Sequence, residues 1–468
     1  MALLRGQTAV KPRRVILSGL NAGRRANAFA LTIIFALGIF LAAKAEFRSD
    51  TSNDALYLYG VTVTSIVLFQ MAVAFGRYRD LGNVAPSTLA AVAGAPNAPL
   101  VTCLVAVHND ADIIEHCLAS LVDQTYAMKE IIVIDDASTD GTGAVLARLA
   151  AMYPITVISL TTNVGKKRAL AAGILAAKGE VYAFTDSDSI WAADALTRCV
   201  AILAKHPNVG AVSGHCRAYN ADRSLLTRIQ DSWYEGQFSV RKAFESAFGA
   251  VSCVSGPLAV FRKAAIHNYI PAWEADSFLG QEFRFATDRT LTGFVLVGGH
   301  VGDKLKQKHA GSPFLETEFR SRDWDIVYSY SARAWTAVPE TFSKLVKQQV
   351  RWKKSFVRNM FFTGRYYWRK SLAPAAVYYL HILFVFAGPI VAFRHLVYVP
   401  AHGNPESALL YLAGIVVVGS MFGLAHWRVE PKSHGWVYRP LMSLISTVLL
   451  SWLLIYSLLT IRRMRWAR

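Results

Sequence analysis

Between Thr341 and Arg358, in the run TFSKLVKQQVRWKKSFVR, stand Gln348, Gln349, Arg351 and Trp352. A guanidinium can clamp a phosphate, carboxamides can orient it, and an indole offers a flat apolar face on which a ring can stack. The run predicts one basic amphipathic helix lying just ahead of long apolar segments. Arg351 and Trp352 equally fit a lipid-headgroup contact and an interfacial anchor, and spacing does not separate the two readings.

Carboxylates upstream offer complementary chemistry. Asp135 and Asp136 end a β-branched run and open the turn ASTDGT, where such a pair can also simply cap the next helix. Asp186 and Asp188, in TDSDS, fall at i and i+2 and so project from one side of an extended strand end. Hard oxygen ligands of this kind suit Mg²⁺ or Mn²⁺ bridging to a diphosphate. Lys166, in TTNVGKKRAL, supplies a cation for phosphate or belongs to a solvated lysine cluster. Asp288, ahead of Arg289 in ATDRTLT, can accept a proton from a hydroxyl, or else act as an N-cap or half of a surface ion pair.

The elements that must hold these residues are readable from hydrophobic pattern. Apolar runs at 100–107, 130–136, 155–160 and 181–188 predict buried parallel strands joined by crossover helices. The result is an α/β domain of the Rossmann-like, doubly wound kind. Ligands of such sheets sit beyond the carboxyl ends of the strands, where His108, Asp136, Asp186 and Asp188 fall.

The mean hydropathy of the whole chain, +0.29, is that of a membrane protein, and long apolar segments lie on either side of this domain. Ala26–Ala45 and Tyr57–Phe75 each approach the ~20 apolar residues that cross a bilayer, and together they predict a hairpin. Arg5, Lys11, Arg13, Arg14, Arg24 and Arg25 precede it without an acidic residue, which places the N-terminus in the cytoplasm. Lys44, Glu46 and Arg48 do not form the small-residue site of a cleaved signal peptide. Three further apolar segments, Leu372–Phe393, Ala408–Leu424 and Pro440–Ile461, would leave the basic tail outside if all three crossed. The basic link from His426 to Arg439 and the tail arginines therefore predict that Pro440–Ile461 is re-entrant, interfacial or broken, with the tail cytoplasmic. The net charge of +18 is concentrated beside apolar segments, which favours anionic lipid and anionic substrate over nucleic acid. Five cysteines without CxxC spacing predict reduced thiols.

Taken in order, DD, DxD, Ser255-Gly256-Pro257, Asp288-Arg289 and QQVRW resemble the motifs of the family 2 processive glycosyltransferases, most closely hyaluronan synthases, with chitin, Nod-factor and cellulose synthases as relatives. The resemblance implies a cytosolic GT-A domain at 99–340, inserted between transmembrane helices. Around it would lie a basic cytosolic N-terminus (1–25), a transmembrane hairpin (26–75), a linker (76–98), amphipathic interface helices (341–371), a C-terminal transmembrane region (372–461) and a basic cytosolic tail (462–468). By the same resemblance Val107 and His108 line a base pocket, Asp136 contacts uracil and Lys166 touches the nucleotide. Asp186 and Asp188 form the DxD, Asp188 being the more direct metal ligand. Asp288 is the catalytic base; Gln348, Gln349, Arg351 and Trp352 match Q(Q/R)xRW, in which the arginine binds diphosphate and the tryptophan floors the acceptor site, and Trp466 occupies the place of a gating motif. Three positions depart from the pattern: Ala286-Thr287 replace the usual glycine and first acidic residue, Val254 rather than cysteine precedes SGP, and the tail reads Trp466-Ala467-Arg468.

The implied activity is inverting, processive transfer from UDP-sugars to a growing β-linked polysaccharide, hyaluronan from UDP-GlcNAc and UDP-GlcA foremost, with export through the chain's own membrane region. Alternatives are a chitin- or cellulose-type synthase using one donor, and a transferase acting on a lipid phosphate. A transporter or scaffold would leave the strand-end carboxylates without a role. Expected partners are UDP-sugars, the growing polymer, Mg²⁺ or Mn²⁺ and membrane lipids, without nucleic acid. The expected location is the plasma membrane, with the catalytic domain and both termini cytoplasmic.

Overall fold

The computed structural model describes residues 54–463. The span expected at Ala26–Ala45, the basic stretch before it and Trp466 lie outside the described residues.

After helix α1 (Asp54–Gly76) and α2 (Pro86–Ala93), the chain forms β1 (Val101–Val107), α3 (Ile114–Val122), β2 (Lys129–Asp135), α4 (Thr142–Met152), β3 (Ile155–Ser159), α5 (Lys166–Ala176), β4 (Val181–Asp186), β5 (Ile190–Trp191), α6 (Ala195–Lys205) and β6 (Val209–Ala218). Then come α7 (Leu225–Gly236), β7 (Ala259–Arg262), α8 (Thr287–Lys308), β8 (Asp325–Thr336) and the amphipathic α9 (Phe342–Phe362). The stretch 76–98, expected to be a linker, thus contains a two-turn helix begun by Pro86, whose fixed φ suits a first turn.

One eight-stranded sheet has the order β3-β2-β1-β4-β7-β6-β8-β5. The four strands expected from sequence are parallel neighbours, while β7 and β5 run antiparallel to theirs. Every residue of β1 is buried, because alternate side chains enter cores on opposite faces: Leu104 packs with Ile132, Ile134, Leu170 and Ile174, and Cys103 and Val105 pack with Ile131, Val133, Ile114 and Leu118. The expectation of burial fails for 155–160, since β3 is an edge strand paired only with β2 and is half-buried.

Two C-terminal helices are long and apolar enough to cross a membrane: Leu372–Ala401, which begins with α10 (Leu372–Phe393), and α11 (Glu406–Val429). Only about a fifth of each apolar window is buried, so most of this surface faces outward. The third segment, expected to be re-entrant, interfacial or broken, is a pair of helices, Gly435–Leu450 and Leu453–Leu459, bent by 44°. Helix α9 lies against them through Leu345 with Met442 and Leu450, and through Val357 with Leu454. Buried Lys354 donates to the carbonyls of Thr460 (2.6 Å) and Arg463 (2.8 Å), a cation at a helix C-terminus.

Candidate active site

A cavity of about 1790 Å³ opens where the carboxyl ends of β1, β2 and β4 meet α7, α8 and α9. Its walls include Val107, His108, Asp136, Lys166, Asp186, Asp188, Asp288, Gln348, Gln349, Arg351 and Trp352, so the described candidates share one space. Sheet register explains the first half of this convergence. Val107 pairs with Asp135 and Ala106 with Asp186, so the next residue of each strand turns into the same crevice.

Asp136 is buried, and both its carboxylate oxygens accept backbone N–H bonds, from Val164 (2.7 Å) and Gly165 (2.9 Å). It therefore builds the turn that starts α5, and any contact with a base uses its remaining lone pairs. His108 Nδ1 lies 2.9 Å from the Asp136 carbonyl. Asp135 accepts from the Ser138 N–H (3.0 Å), the turn-capping role open to it from sequence.

Lys166 forms an ion pair with Asp186. Burial alone would lower the ammonium pKa, but Asp186, Asp188 and Asp288 together raise it, so Lys166 stays charged. Burial and the nearby Asp186 charge push the Asp188 carboxyl up to about 6, with Thr336 Oγ1 donating to it at 3.1 Å. Two adjacent carboxylates that repel each other fit a divalent cation. Among the described residues no third His, Cys, Asp or Glu completes a cage, so the remaining ligands would be diphosphate oxygens and water, as is usual for Mg²⁺. Gly256 explains the SGP segment: a Cβ there would stand 2.8 Å from Asp186 Oδ2, so only glycine lets this loop press against the DxD.

Asp288 is the second residue of α8, with Oδ1 accepting the Arg289 N–H (2.8 Å) and Oδ2 lying 3.5 Å from Cys253 Sγ. Burial and the Asp288 charge push the Cys253 thiol up to about 12, so it stays protonated. Ahead of Asp288, Ala286 adopts φ 63°, ψ 36°, the left-handed region that glycine enters freely. The family's glycine has a physical reason here, and the loop keeps that shape without it.

Trp352 does not stand alone. The ring of Trp233 lies 5.7 Å away and that of Tyr234 6.4 Å, both from α7. Gln348 Oε1 and Gln349 Nε2 are buried with no hydrogen-bond partner among the described residues. Sequence reasoning missed Trp233, Tyr234, and a buried clamp in which Asp276 accepts from Lys167 Nζ (2.7 Å) and Arg358 Nε (3.1 Å). That clamp joins the helix of Lys166, the segment before Asp288 and the helix of Arg351. Lys167 beside Lys166 and Arg358 two turns after Arg351 were the available signals, but nothing local pairs either with Asp276.

The arrangement can hold a diphosphate between Lys166, the DxD and α9, and can present a hydroxyl to Asp288. Residues 102–270 match the model of glycosyl transferase family 2. The chain is 31% identical to an N-acetylglucosaminyltransferase of Rhizobium meliloti over 66% of its own length and 67% of the relative's. It is 25% identical to a hyaluronan synthase of Streptococcus pyogenes over 94% of both chains. Among solved structures, the mannosyltransferase PcManGT of Pyrobaculum calidifontis, in complex with GDP-Man and Mn²⁺, superposes with a TM-score of 0.53 at 22% identity, over 93% of this chain and 98% of that one, which identifies the α/β domain as GT-A-like. The match to the R. meliloti transferase, together with one to a hyaluronan synthase that continues past the sheet through the apolar C-terminal helices, makes the chain a member of the family 2 processive glycosyltransferases.

Proposed function

We propose that the chain is a membrane-embedded synthase that polymerises a β-linked polysaccharide from UDP-sugars, hyaluronan from UDP-GlcNAc and UDP-GlcA being the preferred product. The observation that carries this is the single cavity itself. It runs from the strand-end carboxylates past Asp288 and Trp352 to Tyr378, His381 and Val385 of α10 and to Ser446 and Leu450, at the apolar helices. A donor site and an exit toward the membrane are thereby continuous.

In this reading Val107, His108 and Asp136 hold the uracil end of the donor, and Lys166, Gln348, Gln349 and Arg351 hold its diphosphate. Asp186 and Asp188 would hold Mg²⁺ or Mn²⁺, which when bound offsets charge on the leaving diphosphate. Trp352, flanked by Trp233 and Tyr234, stacks on the acceptor sugar. Asp288 takes the proton of the acceptor hydroxyl as that oxygen bonds to the anomeric carbon. The bond from that carbon to the phosphate oxygen breaks, and UDP leaves with the electron pair. Attack from the face opposite UDP inverts an α-linked donor to a β-linked product. Preorganised charge around the diphosphate is the largest expected contribution to the rate. The outward apolar surface of α10 and α11 supports membrane insertion, with the catalytic domain cytoplasmic, and Trp466 is the proposed gate.

A chitooligosaccharide-type enzyme is the second reading, favoured by the identity to rhizobial N-acetylglucosaminyltransferases. Purified protein given Mn²⁺ or Mg²⁺ and radiolabelled UDP-GlcNAc, with and without UDP-GlcA, decides between them. High-mass product that requires both donors and is digested by hyaluronidase is the expected result. Product from UDP-GlcNAc alone selects the second reading.

A further inference from the structure

Beyond the donor machinery, three cations line the same cavity toward its membrane end: Arg241, Arg289 and Lys353. Two of them are placed by neighbours already discussed, since Arg289 follows Asp288 and Lys353 follows Trp352. Arg241 sits in a π-helical turn, Gln237–Lys242, that continues α7; such wide turns recur at functional sites. Their surroundings differ from those of the donor lysine. Lys166 interacts with Asp186, Asp188 and Asp288, whereas Arg241 interacts with Glu245, Arg289 and the tyrosines Tyr367 and Tyr378 near the start of α10. His381 faces all three cations from α10.

These charges are not matched internally. Glu245 is engaged by the Ser252 N–H (2.9 Å) and hydroxyl (2.7 Å). Asp288 accepts from the Arg289 backbone and Cys253. Among the described residues Arg241, Arg289 and Lys353 make no ion pair, and the one side-chain contact of Arg241 is a long 3.5 Å approach to Gln237 Oε1. Burial lowers the pKa of Arg241 and of Lys353, as expected where lost hydration is not replaced by an anion. A carboxylate arriving there would be attracted more strongly than at the protein surface, because the local dielectric is lower.

We infer that Arg241, Arg289 and Lys353 form a carboxylate subsite on the acceptor side of the cavity, which selects a polymer carrying uronic-acid units over an uncharged one. This rests on the polysaccharide-synthase reading above. It deepens that reading by assigning the sugar choice to particular side chains, of which Arg241 and Lys353 lie outside the sequence motifs. Because the set meets the chain after transfer, it acts by holding the acceptor, and it takes no part in bond formation.

The test uses full-length purified protein and two probes of equal length, a hyaluronan tetrasaccharide and uncharged chitotetraose, with binding of each measured in low and high salt. The wild type is expected to prefer the charged probe about tenfold or more, as for charge-assisted hydrogen bonds, and to lose much of that preference in high salt. Arg241→Gln and Lys353→Gln are each expected to move the ratio toward one, and Lys353→Arg to keep it. The wild-type ratio and its salt dependence stand as a test even if a glutamine variant does not fold. If wild-type product requires UDP-GlcA yet neither glutamine variant changes the ratio, the subsite is overturned and the synthase reading survives. If product forms from UDP-GlcNAc alone and the two probes bind equally, the hyaluronan assignment falls with it. A loss of UDP affinity as large as the loss of charged-probe affinity would assign these cations to the diphosphate and also overturn the subsite.

Discussion

Helix α7 stands between two groups of charge taken out of water, and they are satisfied in opposite ways. On one side Arg217 meets Asp231 (2.6 Å), Glu235 (3.0 Å) and Glu430 (2.5 Å), while His215 lies 3.1 Å from Glu235. Burial would raise the Glu235 pKa, but His215 and Arg217 outweigh it and hold the carboxyl down at about 2. This network pairs Arg217 with three carboxylates and ties β6 and α7 to the end of α11, with Glu235 Oε1 left buried and without a hydrogen-bond partner among the described residues. On the cavity side the same helix presents Trp233 and Tyr234, and the charges remain unbalanced: Asp188 is pushed up to about 6, and Lys353 has no carboxylate partner among the described residues. A paired ion network holds helices together; an unpaired one has work left for a ligand.

Neutralising a carboxylate in each group should separate the two roles. Asp288→Asn is expected to lower kcat by about 10³-fold, the scale of a lost general base, with UDP binding retained and unfolding unchanged. Single-turnover assays with calorimetric UDP binding check it. An unfolded Asp288→Asn protein would mean that the cavity charges are structural after all.

Glu235→Gln should do the reverse. Removing one member of a buried pair strands its partners, and the expected cost is about 3 kcal/mol of stability, with a far smaller effect on turnover per folded molecule. Unfolding measured in detergent reads the first, and active-site titration corrects for the second. Acid gives a third view of the same residue. Because the folded pKa of Glu235 is depressed below its ordinary 4.5, its contribution to stability is complete above that value and is lost as pH falls through it toward about 2. Wild type should therefore lose more thermal stability between pH 6 and pH 3 than Glu235→Gln does. Equal losses would remove Glu235 from the account.

How much of this contrast was visible in sequence follows from the range of the interactions. The parallel half of the sheet, the strand-end carboxylates and the QQVRW helix were readable because each depends on local pattern: β-branched runs, i, i+2 spacing and amphipathic period. The antiparallel β7, the edge position of β3 and the Asp276 clamp were not, because they depend on which distant segments meet. Arg217 and Glu430 lie 213 positions apart, and no local pattern pairs them. Trp233 and Tyr234 read as ordinary helix residues until α9 is laid across α7. Asp136 shows a subtler limit: sequence placed it at the site, but not its engagement by the Val164 and Gly165 amides.

Backbone strain follows the same division, and it yields the smallest prediction. Among the described residues, the non-glycine positions with positive φ are Asn109, Ala137, Leu279 and Ala286. Asn109 adjoins His108, Ala137 adjoins Asp136, and Ala286 stands two residues before Asp288; none lies in the Arg217 network. Strain of this sort persists where surrounding structure over-determines the backbone, and it gathers where a side chain must be aimed. At Ala286 the left-handed conformation costs about 1–2 kcal/mol, offset in part by the greater entropy that glycine would lose on folding. Ala286→Gly is therefore expected to stabilise the protein by no more than about 1 kcal/mol. Ala286→Val should destabilise it and reduce kcat, since a β-branched residue resists this φ and would rotate the start of α8 together with Asp288. Thermal midpoints and turnover measured on the pair test the point. If glycine destabilised and valine were neutral, the loop would not be held in the left-handed form, and the shape of the turn before Asp288 would need another cause.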